Sequence, residues 1–522
     1  MSMNNIPQST TLSNTTAGTS CFDANHIDVT TIEDLEQVGS DKWTRYPGCI
    51  GAFIAEMDYG LAPCVAEAIE EATERGALGY IPDPWKKEVA RSCAAWQRRY
   101  GWEVDPTCIR PVPDVLEAFE VFLREIVRAG NSIVVPTPAY MPFLSVPRLY
   151  GVEVLEIPML CAGAGESSGR NDEWLFDFDA IEQAFANGCH AFVLCNPHNP
   201  IGKVLTREEM LRLSDLAAKY DVRIFSDEIH APFVYQGHTH VPFASINRQT
   251  AMQAFTSTSA SKSFNIPGTK CAQVILTNPD DLELWMRNAE WSEHQTATIG
   301  AIATTAAYDG GAAWFEGVMA YIERNIALVN EQMRTRFAKV RYVERHYGEG
   351  DGMGENIMNP TTVVEMDEDS YLEMETTQIK GVDSTVRTTK ATLGSRATLI
   401  IKEKVMTHGK QLAKSDFTVD LNGEDCHTNV ISRSVARDQS HQVFLARING
   451  NARCYGHSEC DAIIMDQGVV AAIPEVTANC VDASLVHEAA IGKIAGEQLI
   501  KLMTLGLTEK EAEEQIVKGF LK

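Results

Sequence analysis

Residues 256–268 read Thr256-Ser-Thr-Ser-Ala-Ser-Lys-Ser-Phe-Asn-Ile-Pro-Gly268, a run of small hydroxyl residues around one lysine, Lys262. Hydroxyl groups can hydrogen-bond phosphate oxygens while the lysine amine attacks an aldehyde and forms a Schiff base. This combination favours pyridoxal phosphate as the ligand of the stretch. A polar loop of the same composition is the alternative, and two segments upstream bear on the choice.

Two apolar strands before this stretch end in polar residues. One is Ala191-Phe-Val-Leu-Cys195, which runs into the turn Asn196-Pro-His-Asn-Pro-Ile-Gly202, and the other is Val222-Arg-Ile-Phe-Ser-Asp227, which ends in an acid. Open α/β sheets bind ligands at the carboxyl ends of their strands. An aspartate at that place keeps a pyridine nitrogen protonated, so that the ring becomes an electron sink. The three segments therefore predict an α/β domain that binds pyridoxal phosphate.

Seven blocks lie in one order over about residues 30–340: Lys42-Trp43, Ala55-Glu-Met-Asp58, Gly79-Tyr80, Pro138-Ala-Tyr140, Asn196–Gly202, Ser226-Asp-Glu-Ile-His230 and Ser259–Gly268. With these blocks the chain resembles the fold-type I pyridoxal-phosphate enzymes, and within them the MalY/PatB-like carbon–sulfur β-lyases of the class I and II aminotransferase superfamily. The resemblance implies a mostly parallel sheet with helices on both faces over residues 30–345, with the small domain truncated, and a homodimer.

The resemblance also implies roles for single residues. Lys262 would carry the cofactor and move the Cα proton, Asp227 would pair with the pyridine nitrogen, Asn199 would bond the ring oxygen, and Tyr140 would stack on the ring. Hydroxyl, amine and backbone N–H groups would hold the phosphate, which assigns it to Ser259, Ser261, Lys270, Val115 and Leu116.

Tyr80 and His230 complete the implied cofactor site. His230 stands where many members of the superfamily carry a tyrosine, which matches the lyase-like branch. Lys270 stands where an arginine is common, so a point charge replaces a bidentate clamp. Family members also continue into a small domain whose arginine binds the substrate carboxylate. This chain departs from the family near Val340, so we expect catalysis to be weak even if the cofactor binds.

Composition limits the class of protein. The chain has 522 residues, enough for two or three domains, with 45 basic against 71 acidic residues and a formal charge of −26. That charge argues against binding to nucleic acid or an anionic membrane. Thirteen scattered cysteines without a CxxC pair indicate a reducing cytoplasm. We predict a disordered tail over residues 1–29 and no membrane segment.

The texture of the sequence changes after a long predicted helix, Ala312 to Val340. A glycine-dense break follows at residues 347–354, and short strands then recur without helices, as at Phe417–Leu421 and Gln442–Ala446. Such strands predict a sandwich or a solenoid, although no fixed repeat is visible. Two helices close the chain, one predicted over Ala489 to Leu505 and one opened by the capping box Thr508-Glu-Lys-Glu511.

This second half resembles the SufB/SufD family of iron–sulfur cluster assembly in the stretches Tyr371–Gly381, Cys460–Asp466, Ile473–Ala478, His487–Ile494 and Leu505–Ala512. The resemblance implies an all-β right-handed parallel β-helix over residues 346–488, and C-terminal helices over 489–522 that bind a SufC-like ATPase. It also implies that Cys460, Glu488 and the adjacent His487 handle sulfur or a transient iron–sulfur cluster.

Three functions follow as expectations. The first is a lyase that converts a sulfur-containing amino acid into thiol, pyruvate and ammonia, the second is an aminotransferase, and the third is a cluster-assembly scaffold with a vestigial cofactor domain. Two incomplete folds joined near His346 would each expose a raw edge. We therefore predict a recombined reading frame with weak activity, and the rival is that each fragment covers the edge of the other.

Overall fold

The computed structural model describes residues 22–48, 50–162, 173–334, 338–347, 357–380 and 382–521. It forms two compact units, residues 1–324 (unit 1) and 325–522 (unit 2), and their division falls inside the helix Ala312–Arg334. That helix ends earlier than predicted, because Lys339–Tyr347 is a strand of unit 2. The boundary predicted at residue 345 therefore comes too late. Most of the predicted tail and of the glycine-dense break lies outside the described residues.

Unit 1 is built on one sheet of seven strands. One strand, Ala272–Ile275, runs antiparallel to both of its neighbours, and the remaining pairs are parallel. The mostly parallel sheet is confirmed. In spatial order the strands are Ile109–Val112, Ala272–Ile275, Ala254–Thr258, Arg223–Asp227, Ala191–Cys195, Ser132–Thr137 and Glu153–Pro158.

Both faces of this sheet are buried, in two separate cores. Along the strand Ala191–Cys195, Phe192 and Leu194 pack into one core while Val193 packs into the other. A strand covered on both faces reads as a continuous apolar run, which is why this stretch shows no alternation. The α-helices of unit 1 are Ala24–Val29, Ile32–Val38, Asp41–Thr44, Pro63–Glu74, Asp83–Gln97, Val115–Val121, Pro142–Leu149, Phe178–Ala186, Arg207–Tyr220, Arg248–Gln253, Pro279–Leu284, Glu290–Glu293 and Thr298–Gly310. The first of them lies inside the segment predicted to be disordered.

Unit 2 consists of parallel strands wound alternately into two sheets. One sheet contains Lys339–Tyr347, Tyr371–Lys380, Thr398–Thr407, Cys426–Ala436, Cys454–Ile464 and Ala483–Gly492. The other contains Ile357–Met358, Thr361–Met366, Ser384–Leu393, Leu412–Leu421, His441–Gly450 and Val469–Ala478. Side chains from both sheets share one core, to which Leu399, Ile401, Phe417 and Val419 belong. The arrangement is that of a parallel β-helix, which the resemblance to the SufB/SufD family implied and which decides between the sandwich and the solenoid left open by the strand pattern.

The coils of unit 2 repeat, although the sequence showed no repeat. Cys426 pairs in register with Cys454, and Cys454 pairs with Ala483. Side-chain hydrogen bonds between neighbouring coils accordingly join residues 28 or 29 apart. What recurs is the inward position of a side chain, not its identity, so inspection of residue letters does not reveal it.

The opening coil of unit 2 leaves apolar side chains uncovered. A cleft of about 770 Å³ is lined by residues such as Val340, Tyr342, Val363 and Leu372. Of these, Val363 is 57% exposed. A β-helix stacks its coils face to face, so its first coil presents apolar surface unless something covers it. This exposure agrees with the expectation of a raw edge at the start of the β-helix.

Two helices, Gly496–Met503 and Glu509–Phe520, close the chain. The first was predicted to begin at Ala489, which is wrong because residues 489–492 complete the strand Ala483–Gly492. The second begins with the expected capping box between Thr508 and Glu511. Among the described residues, every helix is too short or too polar to cross a lipid bilayer.

An asparagine ladder on three successive coils gives a test of the β-helix. Asn451 donates to Asn422 at 2.6 Å and accepts from Asn479 at 2.7 Å. Asn451→Ala removes two hydrogen bonds and should lower the free energy of unfolding by about 1–2 kcal/mol, whereas Asn479→Ala removes one and should cost about half of that. Urea denaturation followed by circular dichroism measures both. Equal losses in the two variants would contradict the ladder.

Candidate active site

Lys262 lies in a tight turn just after the buried strand Ala254–Thr258. The hydroxyl of Ser259 braces this turn, because it donates to the Cys271 carbonyl at 3.1 Å and accepts from the Ser261 N–H at 3.0 Å. Lys262 is half-buried, and burial lowers the pKa of its amine, while the carboxylates of Glu56 and Asp227 oppose that shift. A lowered pKa favours the neutral amine, which is the form that attacks an aldehyde.

Asp227 ends the neighbouring strand Arg223–Asp227, where the sequence placed it. Its side chain is 4% exposed, and its Oδ1 accepts from the Ile229 N–H at 3.1 Å. Burial raises the pKa of Asp227 to about 7, and the Glu228 carboxylate adds to the rise. A nearby cation stabilises the ionised form of a buried carboxyl, and a protonated ring nitrogen would supply such a cation.

The turn that carries Asn199 is joined to the segment that carries Tyr140. Nε2 of His198 donates to the Pro138 carbonyl at 2.8 Å, which fixes the carboxyl ends of two adjacent strands to each other. Burial raises the pKa of the Tyr140 hydroxyl, and the charge of Asp227 adds to this effect. No sequence pattern predicted that His198 would join these two segments.

His230 follows Asp227 and remains neutral at physiological pH. Burial lowers the pKa of His230 to about 4, and the charge of Lys262 contributes.

Tyr80 differs from the other residues assigned to the cofactor site, because its ring is 92% exposed. Its backbone forms a bridge with Ala297, whose N–H bonds the Lys270 carbonyl at 3.1 Å. The structure thus brings His230 to the lysine, while the Tyr80 ring lies on the surface.

The residues expected to hold a phosphate include an ion pair that the sequence did not predict. Nζ of Lys270 lies 3.0 Å from Oδ2 of Asp114, and Oδ1 of Asp114 accepts from the Glu117 N–H at 2.9 Å. Val115 and Leu116 open the helix that Asp114 caps, as their proposed role requires. The Pro-Asp pair ahead of a helical pattern was a readable capping signal. The positive charge of Lys270 is therefore already paired.

The first two sequence blocks form a brace beside Lys262. Asp58 accepts from Lys42 Nζ at 2.6 Å and from Trp43 Nε1 at 2.8 Å. The side chain of Asn265 then bonds both backbone groups of Met57, at 2.9 and 2.8 Å. These contacts hold the segment that contains Glu56 against the turn of Lys262. Both segments belong to the sequence blocks, but no sequence pattern assigned a role to Glu56 or Asn265.

The residue set fits pyridoxal phosphate. An amine with a lowered pKa, a buried carboxyl in need of a cation, and helix N–H groups are the partners that an aldehyde, a pyridine nitrogen and a phosphate require. The structure brings together Lys262, Asp227, Tyr140 and His230 through the contacts and charges described above.

In unit 2 the three residues expected to handle sulfur or a cluster do not converge. Cys460 pairs in register with Ala489, not with Glu488, so the 28-residue step from Cys460 falls one residue short. Because strand side chains alternate, Cys460 points inward at 1% exposure while the Glu488 side chain is 67% exposed.

The other groups of this set are also engaged or buried. The His487 ring hydrogen-bonds the Ser458 hydroxyl at 2.6 Å. Burial raises the pKa of the Cys460 thiol to about 12. Within the described ranges no cluster of three His, Cys, Asp or Glu side chains could hold a metal ion.

Comparison with known proteins agrees with both halves of the fold. Residues 51–342 match the family model of aminotransferase class I and II, and residues 327–520 match that of the SUF system FeS cluster assembly SufBD core domain. The cystathionine beta-lyase of Corynebacterium glutamicum is 36% identical over 281 residues, which cover 54% of this chain and 72% of that protein. Cystathionine beta-lyase PatB of Bacillus subtilis (strain 168) is 32% identical over 322 residues, 59% of this chain and 80% of that protein.

A solved structure extends the likeness to three dimensions. The PLP-bound putative aminotransferase from Clostridium difficile 630 superimposes with a TM-score of 0.53 at 28% identity, and the match covers 57% of this chain and 77% of that one. The expected fold class and both resemblances are confirmed by these matches.

The ion pair between Asp114 and Lys270 gives a test of the phosphate position. Asp114→Asn keeps a side-chain oxygen to cap the helix but removes the charge that engages Lys270. We expect pyridoxal phosphate to bind about two- to fivefold more tightly, since an exposed pair is worth up to about 1 kcal/mol. Absorbance titration measures the affinity. Asp105→Asn, which alters an exposed cap elsewhere, should change nothing, and weaker binding by Asp114→Asn would contradict the assignment.

Proposed function

We propose, on the premise that the chain belongs to the aminotransferase class I and II family, that unit 1 is a pyridoxal-phosphate-dependent carbon–sulfur β-lyase. Its substrate would be an S-substituted cysteine or cystathionine, and its products a thiol, pyruvate and ammonia. The observation that carries the proposal is the half-buried Lys262, which follows a buried parallel strand, and whose amine feels the charges of Glu56 and Asp227. The similarity to proteins named cystathionine beta-lyase supports the choice of reaction.

Each residue has a defined task in this proposal. Pyridoxal phosphate, when bound, withdraws electrons from Cα and so weakens the bonds next to that atom. Lys262 holds the cofactor and, once released, takes the proton from Cα. Asp227 keeps the ring nitrogen protonated, and Asn199 bonds the ring oxygen. Tyr140, half exposed beside the site, stacks on the ring.

The substrate carboxylate has no arginine assigned to it. Family members supply that arginine from a small domain, whereas the residues after Arg334 in this chain enter the β-helix through the strand Lys339–Tyr347. A carboxylate without a bidentate partner is poorly oriented. We therefore infer slow turnover.

Unit 1 is proposed to form a homodimer. Its exposed apolar residues, among them Tyr80, Ile50 and Met141, support this proposal.

Lys262 labelling tests the proposal. Protein loaded with pyridoxal phosphate should show an absorbance band near the visible edge that borohydride abolishes, with pyridoxyl fixed to Lys262. Pyruvate should then form from an S-substituted cysteine without an added keto acid, whereas an aminotransferase would need one. Lys262→Ala should lose band and product, and the surface variant Lys87→Ala should keep both. Protein without a band or a label would rule out the cofactor role.

A second function is favoured by the match of residues 327–520 to the SufBD core. We propose that the helices Gly496–Met503 and Glu509–Phe520 dock a SufC-like ATPase, and that a transient cluster is cargo of unit 2. Ile500, Met503 and Leu505 are exposed on or just after the first helix, so an apolar surface is available to a partner.

Charge placed on this surface should abolish docking. Ile500→Glu, or deletion of residues 495–522, should prevent a SufC-like ATPase from being retained in a pull-down with the full chain. Val481→Glu is the matched control, because Val481 is an exposed apolar residue of the same unit outside the helices. Retention that survives both changes would refute the docking role.

A further inference from the structure

The segment that carries Glu56 is fastened to the turn of Lys262. The Asn265 side chain accepts the Met57 N–H and donates to the Met57 carbonyl, and the Asn265 N–H bonds the Lys262 carbonyl at 3.4 Å. Glu56 therefore precedes Met57, which two hydrogen bonds tie to Asn265, and Asn265 is itself bonded to the backbone of Lys262. Such a link restricts where the Glu56 side chain can reach.

The two carboxylates of this segment have different surroundings. Both oxygens of Asp58 are engaged, one by Lys42 and one by Trp43. Glu56 gives its backbone carbonyl to Lys42 at 3.0 Å, but Oε2 of its side chain is buried and has no hydrogen-bond partner among the described residues. A buried oxygen without a partner costs free energy until a ligand satisfies it. Asp58 thus acts as a brace, whereas Glu56 retains unused binding capacity.

The charge of Glu56 reaches the reactive amine. Of the two carboxylates that raise the pKa of Lys262 against the effect of burial, Glu56 has the larger influence and Asp227 the smaller. His230, which also lies in the field of Lys262, is neutral and contributes no compensating charge at physiological pH. A cationic nitrogen that takes the place of the Lys262 amine would meet the same two carboxylates.

We propose that Glu56 binds the ammonium group of the amino acid that enters the site. This inference rests on the proposed function, because it takes the ligand to be an amino acid that replaces Lys262. An ammonium group would satisfy the buried oxygen of Glu56 with a charge-assisted hydrogen bond. The same carboxylate repels a ligand that brings a second carboxylate close to Cβ. The favoured substrates are therefore S-substituted cysteines with a neutral group on sulfur, not acidic amino acids.

Paired ligands isolate the ammonium group. Glu56→Gln, in the full chain loaded with pyridoxal phosphate, should bind S-methylcysteine roughly tenfold more weakly. It should bind 3-(methylthio)propionate, which is the same molecule without the ammonium group, as the unaltered protein does. Glu71→Gln, on the exposed face of the helix Pro63–Glu74, is the matched control and should change neither affinity. Equal loss for the two ligands, or no loss for S-methylcysteine, overturns the inference.

A second measurement does not need the cofactor. Acetylation of the protein without cofactor by acetic anhydride at graded pH reports the neutral fraction of Lys262. Removal of the Glu56 charge lowers the pKa of Lys262, so Glu56→Gln should shift the acetylation profile to lower pH and Glu71→Gln should not. A missing borohydride label on Lys262 would refute the proposed function, on which the amino-acid ligand rests. An unshifted acetylation profile would refute the pairing of Glu56 with this site, whether or not the label forms.

Discussion

Parallel strands need cover on both faces, and the two units of this chain meet that constraint in different ways. In unit 1, helices cover both faces, so the strand Ala191–Cys195 sends alternate side chains into two separate cores. In unit 2, the chain winds its own strands into two sheets that share one core. Polar groups inside such layers must be satisfied locally, as Glu403 is by the hydroxyls of Ser415 and Ser432. Reactive groups of unit 1 therefore collect where the strands end.

At those strand ends each group sets the charge state of another. Burial pushes the Lys262 amine toward its neutral form, which is the form that attacks an aldehyde. Burial also raises the pKa of Asp227 to about 7, so its ionised form depends on a nearby cation, which a protonated ring nitrogen would supply. Lys270, which the sequence assigned to the phosphate, is engaged by the Asp114 carboxylate. A phosphate at the proposed position would therefore compete with Asp114 for the Lys270 charge.

Local sequence signals predicted a large part of this arrangement. The strand that ends in Asp227 and the turn that follows Cys195 were readable, because apolar runs and turn residues act over a few neighbouring positions. The signals failed where distance along the chain mattered. A step of 28 residues suggested that Cys460 and Glu488 meet, but the coil at that point advances by 29. One residue of difference reverses the face of a strand, so the two side chains diverge.

By itself, the sequence determined the order of strands and turns, the lysine and the acid of the site, and the change from α/β to all-β texture, since each depends on short-range periodicity or on a local motif. Only the tertiary structure decided which charges meet. Asn265 bonds Met57 across 208 residues, and Lys270 pairs with Asp114 across 156. Such contacts are set by how the sheet and its connections bring distant segments together, and no local pattern encodes them. The effect of the Glu56 charge on the pKa of Lys262 arises in this way, because packing brings the two segments together although they are distant in sequence.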